Sequence, residues 1–252
     1  MISKEDLKKL TKLTGFDLWQ TEKDYLQHVF LMFLSRETKN QLVFKGGTAL
    51  QKVYGLNRFS VDLDFTSLSD GAEETIKKIS EDMTIFGLET NISTVKSSPV
   101  GKTFVLRIKG PLYDGTERSI STLRLEISLR KDLILEPEIK EVIPVYPDIR
   151  PYLLLVMRLE EILAEKVRAI CWRSRSRDVY DLWFLLRRGV KCDLKLVNEK
   201  LKYYNLKFQK ESFIQKIEET KKNWKSELER IVSFVPDFEK VKNEILALMF
   251  ES

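Results

Sequence analysis

Histidine is almost missing from this chain of 252 residues, since His28 stands alone. Multi-histidine metal centres are thereby excluded, and a histidine-based triad is possible only if that one imidazole serves. His28 sits in the helical pattern KDYLQHVFLMFL and reads as a structural residue. Cysteine is nearly as scarce. Cys171 and Cys192 are too few for a disulfide framework or a structural zinc site, and such usage fits a reducing cytoplasm. Long hydrophobic runs are absent too. The longest apolar cluster, YLLLVMRL, is interrupted by Arg158 and falls well short of the roughly 20 residues a spanning helix needs. A membrane is therefore not an expected partner. The opening stretch, MISKEDLKKLTKL, is charged and amphipathic, without the apolar core of a signal peptide. No internal repeat or low-complexity tract is present.

What remains is ordinary globular material, 43% hydrophobic and 32% charged, enough to bury a substantial core. A formal charge of +5 permits an anionic partner without requiring one. Periodicity predicts helices over 22–35 and 72–86, with a short helix after Gly46 and Gly47 that Gly55 ends. It predicts strands over 41–44, 60–66, 89–96, 103–109 and 122–130. Prolines at 137, 144, 147 and 151 mark a boundary, and nearly everything beyond them reads as helix. The expected fold is α+β: a mixed sheet with helices over 1–147, then an all-helical domain over 148–252.

The chemistry concentrates in KGGTALQKVYGLNRFSVDLDF, residues 45–65. Alternate side chains of a strand share a face, so SVDLDFT turns Val61, Leu63 and Phe65 inward and sets Asp62 and Asp64 together outside. A pair of like charges is tolerated when a cation bridges it, and Mg²⁺ favours such hard oxygens. A solvated strand face is the plain alternative. In STLRLEISLR, Glu126 is the only acid on the polar face. It either completes a three-carboxylate cluster, if its strand pairs with that of the aspartates, or forms an ion pair with Arg124 or Arg130. Gly46 and Gly47 form a tight turn into a helix that Thr48 can cap, a geometry in which backbone N–H groups hold anions. The spacing is not that of a Walker A loop.

Gly-Gly-Thr-x-Leu, then Arg58, Ser60, Asp62, Asp64 and Phe65 as Arg-x-Ser-x-Asp-x-Asp-Phe, then LAEKVRAI and SRDVYDLW, follow one another over residues 45–183. Together they resemble the nucleotidyltransferases of the DNA polymerase β superfamily, and within it the AbiEii toxins of type IV toxin–antitoxin systems, a group that includes the MenT-type toxins. The resemblance implies a pol β-like nucleotidyltransferase domain that moves a nucleoside monophosphate from an NTP to a hydroxyl. It implies that Gly46, Gly47 and Thr48 hold the triphosphate, with Arg58 and Ser60 in the same nucleotide-binding motif. Asp62 and Asp64 would bind Mg²⁺ or Mn²⁺, Lys166 would neutralise phosphate charge, and Asp178 would complete the site. It further implies a cognate antitoxin and the tRNA 3′ end, or other RNA, as acceptor. A protein hydroxyl (NMPylation) is the rival acceptor, and a non-catalytic nucleotide-binding module the rival function.

Taken from the residues alone, Lys166 would be a surface lysine. Asp178, in the first turn of its helix, would favour the helix dipole, and Asp181 could pair with Arg177 or join the site. Arg168, Arg173, Arg175 and Arg177 around Trp172 suit either a nucleic-acid backbone or a solvated loop between helices.

Overall fold

The computed structural model describes residues 1–37 and 42–251. Gln41, expected to open the first strand, lies outside them. The chain divides into two compact units. The first comprises Met1–Tyr54, Phe59–Lys131 and Pro137–Val156, and the second Gly55–Arg58, Asp132–Glu136 and Met157–Ser252. The first unit thus runs past the proline-rich boundary expected at 147, and two short segments of the first half belong to the second.

The first unit holds α1 (Lys4–Thr14), α2 (Leu18–Arg36), β1 (Leu42–Lys45), α3 (Gly46–Tyr54), β2 (Leu63–Ser67), α4 (Ala72–Ile85), β3 (Thr90–Ser98), β4 (Gly101–Ile108), β5 (Ser121–Ser128), β6 (Glu138–Val142) and β7 (Tyr152–Val156). The strands form one mixed sheet in the order β3-β4-β5-β2-β1-β7-β6. β2 runs parallel to β5 and β1 parallel to β7, and the other neighbours are antiparallel. Two strands were not expected. YLLLV reads as the start of a helix, because a short apolar run has no period of its own. In the fold it becomes β7, alternately covered and open, and the helix starts only at Leu159. EIKEV, between the prolines, becomes β6 at the edge of the sheet, a position where a short charged strand is well suited.

α2 begins with a capping box. Asp17 accepts from the Gln20 amide at 2.8 Å and the Gln20 side chain accepts from the Asp17 amide at 3.2 Å. From Thr21 to Leu34 every residue of this helix is buried, as it packs on β5 and β7 and beside α1 and α4. A helix buried all round has no solvent face for its polar residues, so Glu22, Lys23, Asp24, Gln27 and His28 must each find partners inside. His28 shows the pattern: Nδ1 lies 2.7 Å from the Tyr152 hydroxyl and Nε2 3.6 Å from Asp24.

The second unit is built on α5 (Leu159–Trp172), α6 (Ser176–Arg187), α7 (Leu194–Lys202), α8 (Lys210–Glu218), α9 (Trp224–Leu228) and α10 (Phe238–Phe250). α5 packs against α6, α7 and α8, and α6 against α9 and α10. Ile162, Val167, Leu182, Leu201, Phe213 and Ile245 lie in its core. Two charged residues of α5, Glu161 and Lys166, are buried. Glu161 accepts the Ile134 and Leu135 amides at 2.8 Å and pairs with Lys200 at 2.5 Å. This anchors the segment 132–136 to the helices.

Candidate active site

The carboxylate face of the first unit grows from the pairing of β2 with β5. The two strands are parallel, with Asp64 in register with Glu126 and Leu63 with Leu125, so Asp64 and Glu126 share a face as strand parity predicts. Asp62 lies one residue ahead of β2. Carried one residue back, the register brings Asp62 level with Arg124, whose guanidinium is held in its charged form by a hydrogen bond to Glu126 and by the charges of Glu126, Asp62 and Asp64. The expected cluster of three carboxylates is not formed among the described residues. Glu126 instead accepts from Arg124 Nε at 2.9 Å. Its nearest donor sits two residues along the same strand face, so it reaches that donor at little entropic cost.

Gly46 explains the glycine pair physically. Its φ is +74°, the left-handed region that favours glycine, and a Cβ there would collide with Asp64 Oδ2. The glycine leaves room for a carboxylate at the start of α3 as well as shaping the turn. Thr48 does not cap that helix, which already begins at Gly46. Its buried hydroxyl bonds to Ser60 Oγ at 2.7 Å and donates to the Asp62 carbonyl. Gln51 accepts from the Ser60 amide at 2.8 Å, and Gln27 Nε2 donates to the Ser60 and Val61 carbonyls, each at 2.9 Å. The segment carrying Asp62 is therefore clamped from α2 and α3 by side chains that neutralise none of its charge.

Lys23, Gln27 and Gln51 were not found by sequence reasoning. Lys23 is 5% exposed and donates to the Thr122 carbonyl. Burial pushes its ammonium below the ordinary range, while the charges of Asp62 and Glu22 act against that shift. The one available signal was the polar run TEKDYLQH inside a helix otherwise apolar.

The second unit carries its own charge cluster, and here the side chains are heavily engaged. Arg58 grips Asp181 with two parallel bonds, Nε to Oδ1 at 2.6 Å and Nη2 to Oδ2 at 2.7 Å, the bidentate geometry in which arginine binds a carboxylate most strongly. Lys166 lies 2.6 Å from Asp181 and 3.1 Å from Asp178, and Arg173 donates to Asp178 at 3.1 Å. Lys166 is 8% exposed and Asp181 fully buried. Burial raises the two carboxyls, but Lys166 with Arg173 at Asp178, and Arg58 with Lys166 at Asp181, outweigh it and hold both below the usual range. Burial likewise opposes the Lys166 charge, and Asp181 and Asp178 overcome it.

Lys166 is thus no surface lysine. Asp178 lies in the first turn of α6, as expected, and Asp181 meets Arg58 and Lys166 instead of Arg177. Of the arginines around Trp172, Arg168 stacks over Tyr204 at 4.6 Å, Arg175 lies 3.9 Å from Glu227, and Arg177 is exposed.

Comparison with known proteins bears on the fold and the family. No curated protein matches the sequence. Among solved structures the fold is similar to MenT4, a nucleotidyltransferase toxin from Mycobacterium tuberculosis H37Rv (TM-score 0.71, 20% identity, 98% of this chain and 90% of that one). It is also similar to JHP933 from Helicobacter pylori (0.63, 22%, 92% and 91%) and to a nucleotidyltransferase structure from H. pylori (0.59, 23%, 88% and 92%). No helix among the described residues is long and apolar enough to cross a membrane. The profile of the nucleotidyl transferase AbiEii toxins matches residues 32–244, most of the chain, and the chain belongs to that nucleotidyltransferase toxin family of type IV toxin–antitoxin systems.

Proposed function

We propose that the protein transfers a nucleoside monophosphate from an NTP to the 3′ hydroxyl of an RNA, with tRNA the leading acceptor, and that a cognate antitoxin opposes it. One observation carries the reading: Asp64 sits against the glycine turn that opens α3, beside an Asp62 whose backbone is clamped by Thr48, Gln27 and Gln51. In the reaction the acceptor oxygen forms a bond to the α-phosphorus, the α–β phosphoanhydride bond breaks, and pyrophosphate leaves as the hydroxyl proton is lost. Such transfer needs positioning and charge neutralisation more than covalent catalysis, which suits a chain with one buried histidine.

Asp62 and Asp64 offer hard oxygen donors of the kind Mg²⁺ or Mn²⁺ takes. Such an ion, when bound, neutralises charge on the triphosphate. The turn at Gly46 and Gly47 contributes backbone N–H groups to the phosphates, and Thr48 and Ser60 keep the aspartate segment in place. For Lys166 and Asp178 the proposal follows the family: a charged lysine set by its carboxylates to neutralise phosphate. The RNA reading is supported by the basic charge of the chain and by Arg168, Arg173, Arg175 and Arg177, of which Arg177 has no carboxylate partner among the described residues.

Incubating the protein with total RNA and each NTP in turn, then sequencing RNA 3′ ends, tests the proposal. Nucleotides added at 3′ ends, lost in Asp64→Ala and in EDTA, are the expected result. Label appearing on protein and never on RNA would replace it with protein NMPylation.

A further inference from the structure

The acids of the carboxylate face stand among bases of the same unit. Glu126 is held by Arg124 at 2.9 Å. Arg124 also feels the charges of Asp62 and Asp64. Lys23, reaching in from α2, interacts with Asp62, and Lys45 on β1 is the register partner of Asp64, so their side chains share a face. Three carboxylates therefore stand among three cations. An unneutralised pair of aspartates attracts a divalent ion strongly, but a compensated one offers little net field.

Resting on the function proposed above, we infer that this face does not hold a divalent cation by itself, that the ion is retained only together with the triphosphate of a nucleotide, and that Arg124 is the residue that enforces this order. The triphosphate adds the negative charge that Arg124, Lys23 and Lys45 cancel in its absence. It also supplies the oxygen ligands that Glu126, turned to Arg124, does not. Arg124 is the lever among the three bases because its side chain is open, 43% exposed, and because it occupies Glu126 as well as facing the aspartates. Replacing it removes a cation and releases an anion at once.

The test is Mn²⁺ binding to the full chain, read from the electron paramagnetic resonance signal of free Mn²⁺, with and without an α,β-methylene NTP analogue. Wild-type protein without nucleotide should bind Mn²⁺ weakly, and the analogue should tighten binding about tenfold or more. Arg124→Gln should raise the affinity of the nucleotide-free protein by about tenfold or more, while Arg124→Lys, which keeps the charge, should stay closer to wild type. Asp64→Asn should abolish the gain in each case. Tight Mn²⁺ binding to nucleotide-free wild type, or an Arg124→Gln variant no tighter than wild type, overturns the inference and leaves the proposed function standing. If protein and analogue together bind no more Mn²⁺ than the analogue does alone, the proposed function fails and the inference with it.

Discussion

At the scale of single residues, Gly46 and Asp64 are one device. A left-handed backbone and a collision awaiting any Cβ are separate reasons for glycine at 46, and the second exists only because a carboxylate stands opposite. Gly46→Ala should therefore displace Asp64, abolish nucleotidyl transfer and destabilise the protein by about 1–3 kcal/mol. A double-mutant cycle separates the two causes. In an Asp64→Gly background, Gly46→Ala should cost less, keeping only the φ penalty, as judged by urea midpoints. Equal costs in both backgrounds would mean that the carboxylate does not press on residue 46. The motif was legible as a tight glycine turn followed by paired acids. That the turn's missing side chain makes room for one of those acids was not, because a collision between residues 46 and 64 exists only once β1 and β2 are paired.

At the scale of elements, α2 is the part the sequence disguised. Its apolar positions Tyr25, Val29, Met32 and Phe33 were readable at helical spacing, and all are buried. Its polar positions are staples to other elements, which helical spacing alone does not reveal. Gln27 shows the consequence: Gln27→Leu would leave the Ser60 and Val61 carbonyls without their donor. It should cost about 1–3 kcal/mol, with an unchanged m-value, and should lower transfer by loosening the segment that bears Asp62. A variant as stable and as active as wild type would show that Thr48 and Gln51 suffice to hold that segment. The strands β2 and β5 were legible because alternation reports one buried face, and of the two readings open for Glu126 the ion pair with Arg124 is the one that forms. β6 and β7 were not, since a five-residue strand among prolines carries too short a pattern to set a period. Lys166, a surface lysine from the residues alone, was misplaced for a related reason. A charged residue on a helix reads as exposed until its counter-charge arrives from elsewhere in the chain.

At the scale of the whole molecule, the lone histidine makes the acid response of stability simple to predict. Burial, with Lys52 adding to it and Asp24 opposing it, pushes His28 down to about 3 from 6.5. The unfolded chain therefore takes up a proton below pH 6.5 that the folded chain refuses. The stability this confers is complete above 6.5 and is lost as pH falls toward 3, by up to about 1.4 kcal/mol per pH unit. Asp178 and Asp181, held below the usual range, add losses only at lower pH, below 3.8. Denaturant midpoints should thus decline between pH 6.5 and 5 in wild type and stay nearly flat in His28→Gln. An identical decline in both would assign the slope to other groups. The division of the chain has a consequence in time. Arg58 belongs to the second unit, yet its partner Asp181 lies 123 residues further on. At roughly 5–20 residues per second, a ribosome takes about 6–25 s to supply that partner. For that interval a guanidinium destined for burial waits in water while the sheet around β1 and β2 has its first strands in hand. A nascent chain halted before residue 181 could complete neither the ion cluster nor the helical unit, however well its first unit had folded.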